Sequence, residues 1–556
     1  MIGMPYKIKS IVTRKLEGVN HFHNYLCRQL KGGGMEIFMK TPWMQTNYRK
    51  LDNYDFDLNS NDEDILILKK GNNRYQLTKE EYNDLLNNNL DFLKMENLYY
   101  RGMAFDDEGE ICVLSDENVD IKYIPLDKKE YVKIPVKTEK NDYFVILNPN
   151  VGSWVAMTEE EIADYESGRL DKYKMENLYV RKLARDTDKE FVEMDFPKPA
   201  ERPSVIVVNL TMTCNLRCKY CFAACEPGAG DFMSKDVMKR VIEQMFQMPS
   251  KLITFELQGG EPLCYLEGMK MFVEISEGLK ERYSKLVKYR TVTNATLVSD
   301  DFIQFAKKYN VAVCVSLDGD EEMTNQTRVY ANGKGAFSEI IKGVHKLKEE
   351  YEIDGSVCTI GQHNMNEAER IMNFFIEQGI SFKPRPANLL GRELENHTTT
   401  NSGQWADAFI KMHKLSEDAP IENYSVHIHE ENVFGPVRDY ICLRYPCGAA
   451  REVISVNPDG TVYPCDGFKN EQEFNMGNIM EESLEDILSK DWVLKLRDRT
   501  HKDIEKCSKC IFRAMCCSCC YSAYGAYGTI YREDPQCEDR RKIFLYLIKD
   551  WIEKHE

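Results

Sequence analysis

The stretch VIVVNLTMTCNLRCKYC, residues 205–221, decides the fold of this chain. It begins with an apolar, mostly β-branched run, VIVV, which predicts a buried strand. Three cysteines follow on the loop after that strand, at Cys214, Cys218 and Cys221. Three thiolates can bind three irons of a [4Fe–4S] cluster and leave the fourth iron open to a small ligand. The stretch therefore predicts a sheet whose first strand leads into an iron–sulfur site.

Strand and helix patterns alternate six times over residues 203–390. One predicted helix, 234–247, starts at Ser234 as N-cap and carries Val237, Val241 and Met245 on one face. Such alternation indicates an α/β fold in which crossover helices cover a parallel sheet. Six units are fewer than the eight of a closed barrel, so we expect a partial barrel with its chemistry at the carboxyl ends of the strands. The predicted strands are 205–209, 252–256, 289–293, 311–317, 355–359 and 381–385.

Short motifs follow four of these strands in order. The cysteine triplet follows strand one, QGGEP (258–262) ends strand two, TN with Asn294 follows strand three, and SLDG (316–319) ends strand four. Any one of them alone is ordinary turn chemistry. Together they resemble the radical SAM enzymes, and the resemblance covers residues 203–390. It implies a partial (β/α)6 radical SAM barrel.

The resemblance also implies a cofactor and its contacts. In this family the open iron binds S-adenosylmethionine (SAM), and an electron from the cluster cleaves it to methionine and a 5′-deoxyadenosyl radical, which takes a hydrogen atom from the substrate. Carried over to this chain, Gly260 supports the methionine amino group and Ser316 lies near the ribose. Arg328 pairs with the carboxylate, for which a guanidinium is suited. Tyr220 lies near the adenine.

The cysteines of the C-terminal region resemble the SPASM extension of the same superfamily. They run Cys447, twelve residues, Gly460, four residues, Cys465, and then C-x2-C-x5-C-x3-C from Cys507 to Cys520, with Cys537 last. With Cys442 upstream, eight thiolates can ligate two auxiliary [4Fe–4S] clusters. By resemblance, cluster one takes Cys442, Cys447, Cys465 and Cys520, and cluster two takes Cys507, Cys510, Cys516 and Cys537.

Two alternatives stay open for these cysteines. Cys517 or Cys519 can replace a neighbour as ligand. The pair Cys507-x2-Cys510 also resembles a zinc knuckle. The other cysteines are interpreted as small buried hydrophobic residues; they are Cys27, Cys112, Cys225, Cys264, Cys314 and Cys358. For Cys264, two residues past GGEP, contact with the site is the alternative.

Asp466, directly after Cys465 in YPCDGF, is the candidate catalytic residue. In the related sulfatase-maturing enzymes the aspartate at this place is the proposed general base. A carboxylate beside a cluster can deprotonate a substrate thiol, a hydroxyl or a radical intermediate. The alternative is a solvated turn aspartate.

The N-terminal region contains an internal repeat. Residues 77–101 align without gaps on residues 157–181, and both copies contain KMENLY. Each copy predicts two short strands and a helix that starts with a capping box, Thr78 with Glu81 and Thr158 with Glu161. The second copy resembles the winged-helix-like leader-binding domain of peptide-modifying enzymes, which binds a precursor's leader as an added strand. A structural or dimerising module is the alternative.

The domain organisation follows from these patterns. We expect an unclear segment at 1–60, duplicated winged-helix-like modules at 61–200, the radical SAM core at 203–390 and an irregular polar bridge at 391–440. The SPASM domain, 441–540, and a helix, 541–556, complete the chain. The KGGG before Met35 suggests a ribosome-binding site read as codons, so our hypothesis is that Met35 is the true start.

Composition limits the remaining function classes. The formal net charge of −17 disfavours a broad nucleic-acid-binding surface. The sequence shows neither an apolar stretch of roughly 20 residues nor a signal-peptide core. Clustered cysteines in such a chain favour metal ligation over disulfides. We therefore expect a soluble cytoplasmic protein without membrane or nucleic-acid partners.

The sequence thus predicts a radical SAM/SPASM maturase that installs an oxidative crosslink, thioether or carbon–carbon, in a ribosomally made precursor peptide. Its partners are the leader-bearing precursor and an external reductant of flavodoxin or ferredoxin type. A first alternative is an anaerobic sulfatase-maturing enzyme that forms formylglycine from Cys or Ser. A second is a non-catalytic iron–sulfur electron carrier, which the set of SAM-binding motifs disfavours.

Overall fold

A computed structural model describes residues 123–170, 181–186, 202–434, 447–516 and 518–555. It also describes short pieces at 49–50, 55–57, 65–70, 73–78, 85, 104–105, 174–175, 178–179 and 442. The chain divides into two compact units, one comprising mainly residues 1–194 and the other mainly 195–554. The hypothesis about Met35, the capping box of Thr78 and Glu81, and Cys27, Cys112 and Cys517 lie outside the described residues.

Nineteen strands occur in the described residues, numbered in chain order. They are β1 Arg49–Lys50, β2 Asp55–Asp57, β3 Ile65–Lys70, β4 Asn73–Thr78, β5 Ala104–Phe105, β6 Tyr123–Pro125, β7 Val132–Lys137, β8 Asp142–Asn148, β9 Ser153–Met157, β10 Ala184–Asp186, β11 Val205–Thr211, β12 Leu252–Gly259, β13 Leu286–Thr293, β14 Ala312–Ser316, β15 Ile353–Ile360, β16 Phe382–Pro386, β17 Val453–Val456, β18 Thr461–Tyr463 and β19 Gly477–Asn478.

One of the longer helices, Glu159–Glu166, lies in the first unit. The others lie in the second unit, where they alternate with the strands over the core; they are Lys235–Gln247, Leu266–Lys280, Asp300–Tyr309, Glu321–Thr327, Phe337–Glu350, Ala368–Gln378, Gln404–Ser416, Tyr424–Phe434, Asp491–Arg497, Cys520–Tyr527 and Cys537–His555. Shorter α-helical segments are Glu393–Asn396, Leu484–Leu488 and Glu505–Ser508.

The second unit is built on one nine-stranded sheet with the order β16-β15-β14-β13-β12-β11-β17-β18-β19. Strands β11 to β16 pair in parallel with their sequence neighbours. The six strands predicted from the sequence and their parallel arrangement are therefore confirmed. Because β11 and β16 are separated by four strands in this order, the six form an open, partial barrel.

Side-chain alternation explains how the sheet packs. In β12, Ile253, Phe255 and Leu257 are buried, whereas the residues between them are only partly buried. The ring of Phe255 packs edge-on against Phe272 of the following helix, with ring centroids 5.0 Å apart. Ser234 caps the helix Lys235–Gln247, as predicted, by accepting a hydrogen bond from the N–H of Val237. The helices thus cover one face of each strand and leave the other face to the barrel interior.

A seventh parallel strand comes from the C-terminal region. β17 pairs in parallel with β11, in the register Val205 with Val453, and β18 and β19 continue the sheet antiparallel. These three strands were not predicted from the sequence. All four residues of the run VISV are buried. The run is too short to show a periodic pattern, so its packing in the sheet makes it a strand. Pairing of β17 with β11 thereby joins the cysteine-rich region to the sheet of the core through backbone hydrogen bonds.

The predicted bridge is also more regular than expected. It contains the helices Gln404–Ser416 and Tyr424–Phe434. Trp405, Phe409 and Met412 are buried at helical spacing on the first of these. Its polar composition concealed an amphipathic helix.

The first unit contains two three-stranded antiparallel sheets, β2-β3-β4 and β7-β8-β9. Each repeat copy was predicted to hold two strands, and each has a third. The helix Glu159–Glu166 begins at Thr158 with the predicted capping box, in which Thr158 and Glu161 bond reciprocally. Tyr165 anchors the helix in an apolar core, donating through its hydroxyl to the carbonyl of Leu183 at 2.7 Å.

Candidate active site

The three predicted cluster cysteines lie together on the loop that follows β11. Cys214 interacts electrostatically with Cys218 and Cys221, and all three residues are partly exposed. Arg392 fixes the loop, because its N–H and its Nε donate to the carbonyls of Cys221 and Cys218 at 3.1 and 3.0 Å. Three convergent, partly exposed thiols are the donor set of a [4Fe–4S] cluster with one open iron. The residues present therefore fit such a cluster.

The electrostatic environment differs among these thiols. Burial raises the pKa of Cys218 to about 12. A hydrogen bond with the buried thiol of Cys225, with the positive charges of Arg392 and Lys469, lowers the pKa of Cys221. Cys225 was predicted to be a core residue, and its burial agrees with that prediction. Its contact with Cys221 was not foreseen.

The two glycines of GGEP are required by a close approach of two backbones. A Cβ on Gly259, where φ is +142°, would lie 2.0 Å from the carbonyl oxygen of Thr211. A Cβ on Gly260 would lie 2.3 Å from that of Thr213. The N–H of Gly260 donates to Thr211 at 2.9 Å. The motif thus packs directly on the segment that leads into Cys214, and Gly260 as a support for an amino group stays a prediction.

Glu261 of the same motif has a structural role that was not predicted from the sequence. Its buried carboxylate accepts hydrogen bonds from the hydroxyl of Thr293 at 2.6 Å and the N–H of Asn294 at 2.7 Å. It therefore ties the end of β12 to the end of β13. Burial raises its pKa to about 7, against the effect of these donors. The TN motif after strand three is explained by this contact.

Asp318, Arg328 and Tyr220 form one cluster, in which Asp318 and Arg328 are buried and Tyr220 is partly exposed. Arg328 lies 2.9 Å from the carboxylate of Asp318, and the hydroxyl of Tyr220 donates to the same carboxylate at 2.5 Å. The guanidinium also lies 5.4 Å from the centre of the Tyr220 ring. The structure thus brings together two predicted SAM contacts, Tyr220 and Arg328. Asp318 belongs to the SLDG motif, but its role as the counter-ion of Arg328 was not predicted from the sequence.

Two further residues lie at the carboxyl edge of the sheet. Ser316, the predicted ribose neighbour, is the last residue of β14 and is partly exposed. His363 lies in the turn after β15, and its ring stacks on Tyr220 with centroids 6.3 Å apart. Neither ring nitrogen of His363 has a hydrogen-bond partner within the described part of the chain. No motif in the sequence singled out His363.

Asp466 is held at this edge by Lys469. The Lys469 ammonium lies 3.1 Å from Asp466 Oδ1 and donates to the carbonyl of Gly259 and to the side chain of Asn209, both at 3.2 Å. The lysine side chain is 2 % exposed, whereas that of Asp466 is 22 % exposed. The predicted base therefore has a fixed position beside GGEP and keeps an accessible side. The sequence analysis did not single out Lys469.

The C-terminal cysteines form two groups of free thiols. In the first, Cys465 interacts electrostatically with Cys519, Cys447 and Cys442, and Cys520 contacts Cys447. In the second, Cys507 interacts with Cys516, Cys537 and Cys510. Each group offers at least four thiols, which fits a fully ligated [4Fe–4S] cluster. The structure brings the members of each expected set together, and Cys519 adds a fifth thiol to the first group; which of these thiols bind iron stays a prediction.

Family models identify both halves of this site. Residues 208–375 match the radical SAM superfamily, and residues 447–511 match the iron–sulfur cluster-binding domain SPASM. The chain therefore contains a radical SAM domain and a SPASM domain, and it is an enzyme. A [4Fe–4S] cluster with SAM, and auxiliary iron–sulfur clusters, are its cofactors.

Individual relatives are more distant. The cysteine-type anaerobic sulfatase-maturating enzyme of Clostridium novyi is 25 % identical over 335 residues, 56 % of this chain and 86 % of the relative. The antilisterial bacteriocin subtilosin biosynthesis protein AlbA of Bacillus subtilis is 22 % identical over 367 residues, 65 % of this chain and 77 % of AlbA. The solved structure of native anSMEcpe with bound AdoMet aligns with TM-score 0.55 at 19 % identity, covering 64 % of this chain and 99 % of that one. That structure supports the fold.

No helix in the described residues is long and apolar enough to cross a membrane.

Proposed function

We propose that this enzyme is a maturase that installs an oxidative crosslink in a ribosomally synthesised precursor peptide. The proposal assigns leader binding to residues 61–200, SAM chemistry to 203–390 and electron transfer to the auxiliary clusters of 441–540, with 391–440 as a bridge. Its electrons come from a flavodoxin- or ferredoxin-type reductant, and we expect it in the cytoplasm. The proposal is supported by the similarity to AlbA, a bacteriocin biosynthesis protein, which matches 65 % of the chain.

The observation that carries the proposal is the second N-terminal sheet. Within the described residues, β9 pairs only with β8 and is an edge strand. The other edge strand, β7, contains Pro135, which cannot donate a backbone hydrogen bond. β9 contains no proline and lies next to the capped helix Glu159–Glu166. An uninterrupted edge beside a helix is suited to bind an extended leader as an added strand.

The chemistry follows from the residues at the carboxyl edge of the sheet. When bound, the cluster and SAM supply the 5′-deoxyadenosyl radical that abstracts hydrogen. Closing a crosslink then removes a second hydrogen as a proton and an electron. We assign the proton to Asp466, which has an accessible side and is oriented by Lys469. The auxiliary clusters, held by the cysteines of 441–540, would accept the electron, so the peptide would lose two hydrogen atoms in all.

Mass spectrometry of two peptides tests the function. The reconstituted enzyme, with SAM and dithionite, is given a short peptide encoded beside this gene, with and without its leader, and a sulfatase-derived peptide with a target cysteine. Loss of two hydrogens from the first peptide, only when the leader is present, supports the proposal. Leader-independent modification of the first peptide contradicts the assigned leader binding.

Formylglycine formation is the second candidate, favoured by the similarity to the Clostridium novyi enzyme over 86 % of that relative. Conversion of the cysteine in the sulfatase peptide to an aldehyde, with loss of its sulfur, identifies this activity. If that peptide alone reacts, the crosslinking proposal is overturned.

A further inference from the structure

The two faces of the core sheet differ in charge. The rings of Phe255 in β12 and Phe382 in β16 pack against rings of the covering helices, so the face that carries them lies under helices. Because successive side chains of a strand point to opposite faces, their neighbours in each strand face the barrel interior. Over β11 to β16 this interior face carries four cations and one carboxylate; they are Lys288, Arg290, Lys383, Arg385 and Glu256. The interior of the partial barrel is therefore cationic.

Three of these charges lie away from the carboxyl edge of the sheet. Glu256 and Arg290 pair in register with each other, and Arg290 pairs with Ala312, the first residue of β14. Arg290 also lies 2.9 Å from the carboxylate of Asp354. Lys288 precedes Arg290 by two residues and is exposed. These groups therefore belong to the end of the barrel that is opposite to the cysteine loop.

Lys383 and Arg385 lie instead at the carboxyl edge. Lys383 pairs with Val357, which pairs with Ser316, the last residue of β14. Neighbouring strands are about 4.8 Å apart, so the backbone of Lys383 is about 10 Å from that of Ser316, the predicted ribose neighbour. Arg385 pairs with Thr359, two residues further along the strand. The two cations therefore lie beside the predicted SAM contacts and not among them.

The side chains of Lys383 and Arg385 are spaced to hold one carboxylate. They are two residues apart on the same face of β16, which separates their Cα atoms by about 7 Å. Both are partly exposed, whereas Phe382, Pro384 and Pro386 on the other face are buried. An ammonium and a guanidinium offer only hydrogen-bond donors, and charge-assisted bonds from both can reach the two oxygens of one carboxylate. A carboxylate placed there also offsets the repulsion between two cations at this distance.

We propose that Lys383 and Arg385 bind a carboxylate of the precursor peptide, so that the enzyme modifies a segment that contains an aspartate, a glutamate or the peptide's C-terminus. This inference rests on the proposed function and names the substrate chemistry of the same site. A carboxylate bound by these two side chains holds the segment at the carboxyl edge of the sheet, where Asp466 also lies.

Peptide binding without turnover tests the carboxylate. The fluorescein-labelled precursor peptide encoded beside this gene is titrated with the cluster-loaded enzyme and SAM in the absence of reductant, and fluorescence anisotropy gives Kd. Each aspartate and glutamate of the peptide is changed singly to its amide, and one further peptide is amidated at its C-terminus. Loss of the recognised carboxylate should raise Kd about 10-fold or more. The peptide that shows the loss distinguishes a side chain from the C-terminus, and a panel without such a loss overturns the proposal.

Enzyme variants test whether these two cations are the receptor. Lys383→Met and Arg385→Met should each lose most of the discrimination between the acidic and the amide peptide, and the double variant should lose all of it. A general disturbance of the fold would weaken both peptides alike, so this non-additivity identifies a direct contact. Arg290→Met is the matched control, because Arg290 is a cation of the same face that pairs with Asp354, and it should discriminate as wild type does. Full discrimination by Lys383→Met or Arg385→Met overturns the proposal.

The position of Cys442 calls for a second measurement. This expected ligand of the first auxiliary cluster lies within electrostatic range of both cations. If the cations serve only to offset the charge of that cluster, an EPR redox titration of the variants shows a shifted auxiliary potential while peptide discrimination stays as in wild type, and the proposal is overturned.

Failure of this inference differs from failure of the proposed function. A peptide that is bound and crosslinked, but is insensitive to the loss of each of its carboxylates, contradicts this inference alone. A leader-bearing peptide that is neither bound nor modified contradicts the proposed function, and this inference with it.

Discussion

Asp318, whose side chain is fully buried, holds the guanidinium of Arg328 at 2.9 Å. The same carboxylate accepts the hydroxyl of Tyr220 and the N–H of Thr359. Arg328 is therefore already paired with Asp318 and is not a free cation for a substrate carboxylate. Its Nε is buried without a hydrogen-bond partner in the described part of the chain, while Asp318 keeps the ion pair. This pair places Tyr220 and Arg328 as one rigid unit beside the cysteine loop.

Asp318→Asn should destabilise the protein strongly. The substitution leaves the buried Arg328 charge without its counter-ion, so the free energy of unfolding should fall by about 3–5 kcal/mol. Urea unfolding of the protein without cofactors, followed by circular dichroism, measures this. Glu322→Gln is the control, because it breaks an exposed pair with Arg370 and should cost less than about 1 kcal/mol. Equal losses in the two variants would contradict the role of Asp318.

Glu261→Gln should change how stability depends on pH. The pKa of Glu261 is raised by burial from 4.5 to about 7, so the folded protein binds this proton more tightly than the unfolded chain. The stability from this group is complete below about pH 4 and is lost as the pH rises through about 7. Unfolding midpoints from pH 5 to 8 should fall more steeply for wild type than for Glu261→Gln. The exposed Glu267→Gln should follow wild type; identical slopes for all three proteins would refute the effect.

Gly260→Ala should displace the cysteine loop. Its Cβ would lie 2.3 Å from the carbonyl oxygen of Thr213, and backbone on both sides leaves little room to yield. We expect about four fewer irons per chain after reconstitution, because the first cluster has four. Gly278→Ala is the matched control, since a Cβ there meets nothing within 4 Å and should stabilise its helix by about 0.5–1 kcal/mol. Full iron content in Gly260→Ala would show that the loop tolerates the shift.

Asp466→Asn should uncouple SAM cleavage from product formation. Loss of a general base lowers product formation by about 10²-fold or more, while release of 5′-deoxyadenosine continues. Both are quantified by liquid chromatography of one reaction. Asp459→Asn, in an exposed turn of the same region, should behave as wild type. Normal turnover by Asp466→Asn would leave Asp466 as a solvated turn residue.

The parallel sheet was predicted well because local patterns in the sequence indicate its strands and helices. β-branched runs such as VIVV and helix caps such as Ser234 can be recognised within a few residues, and both were confirmed. β17 was missed because VISV is too short to show a period. The helix Gln404–Ser416 was missed because its buried face, with Trp405 and Phe409, is surrounded by polar residues.

Individual residues of the site were predicted from the sequence, but the contacts between them were not. The predicted SAM contacts Tyr220 and Arg328 lie together, but their shared partner Asp318 was not foreseen. Lys469 was not considered, although it donates to Gly259 from 210 positions away in the chain. Cys225 was predicted to be a core residue, but its contact with Cys221 became visible only in the tertiary structure.

The sequence by itself determined the cofactor chemistry of this protein, because ligand type and spacing within a loop, as in CNLRCKYC, are properties of adjacent residues. Tertiary structure alone decided which charges meet, as Asp318 with Arg328 and Lys469 with Asp466. Those outcomes depend on burial and on contacts between distant segments, because packing fixes which polar groups lose water and must find a partner.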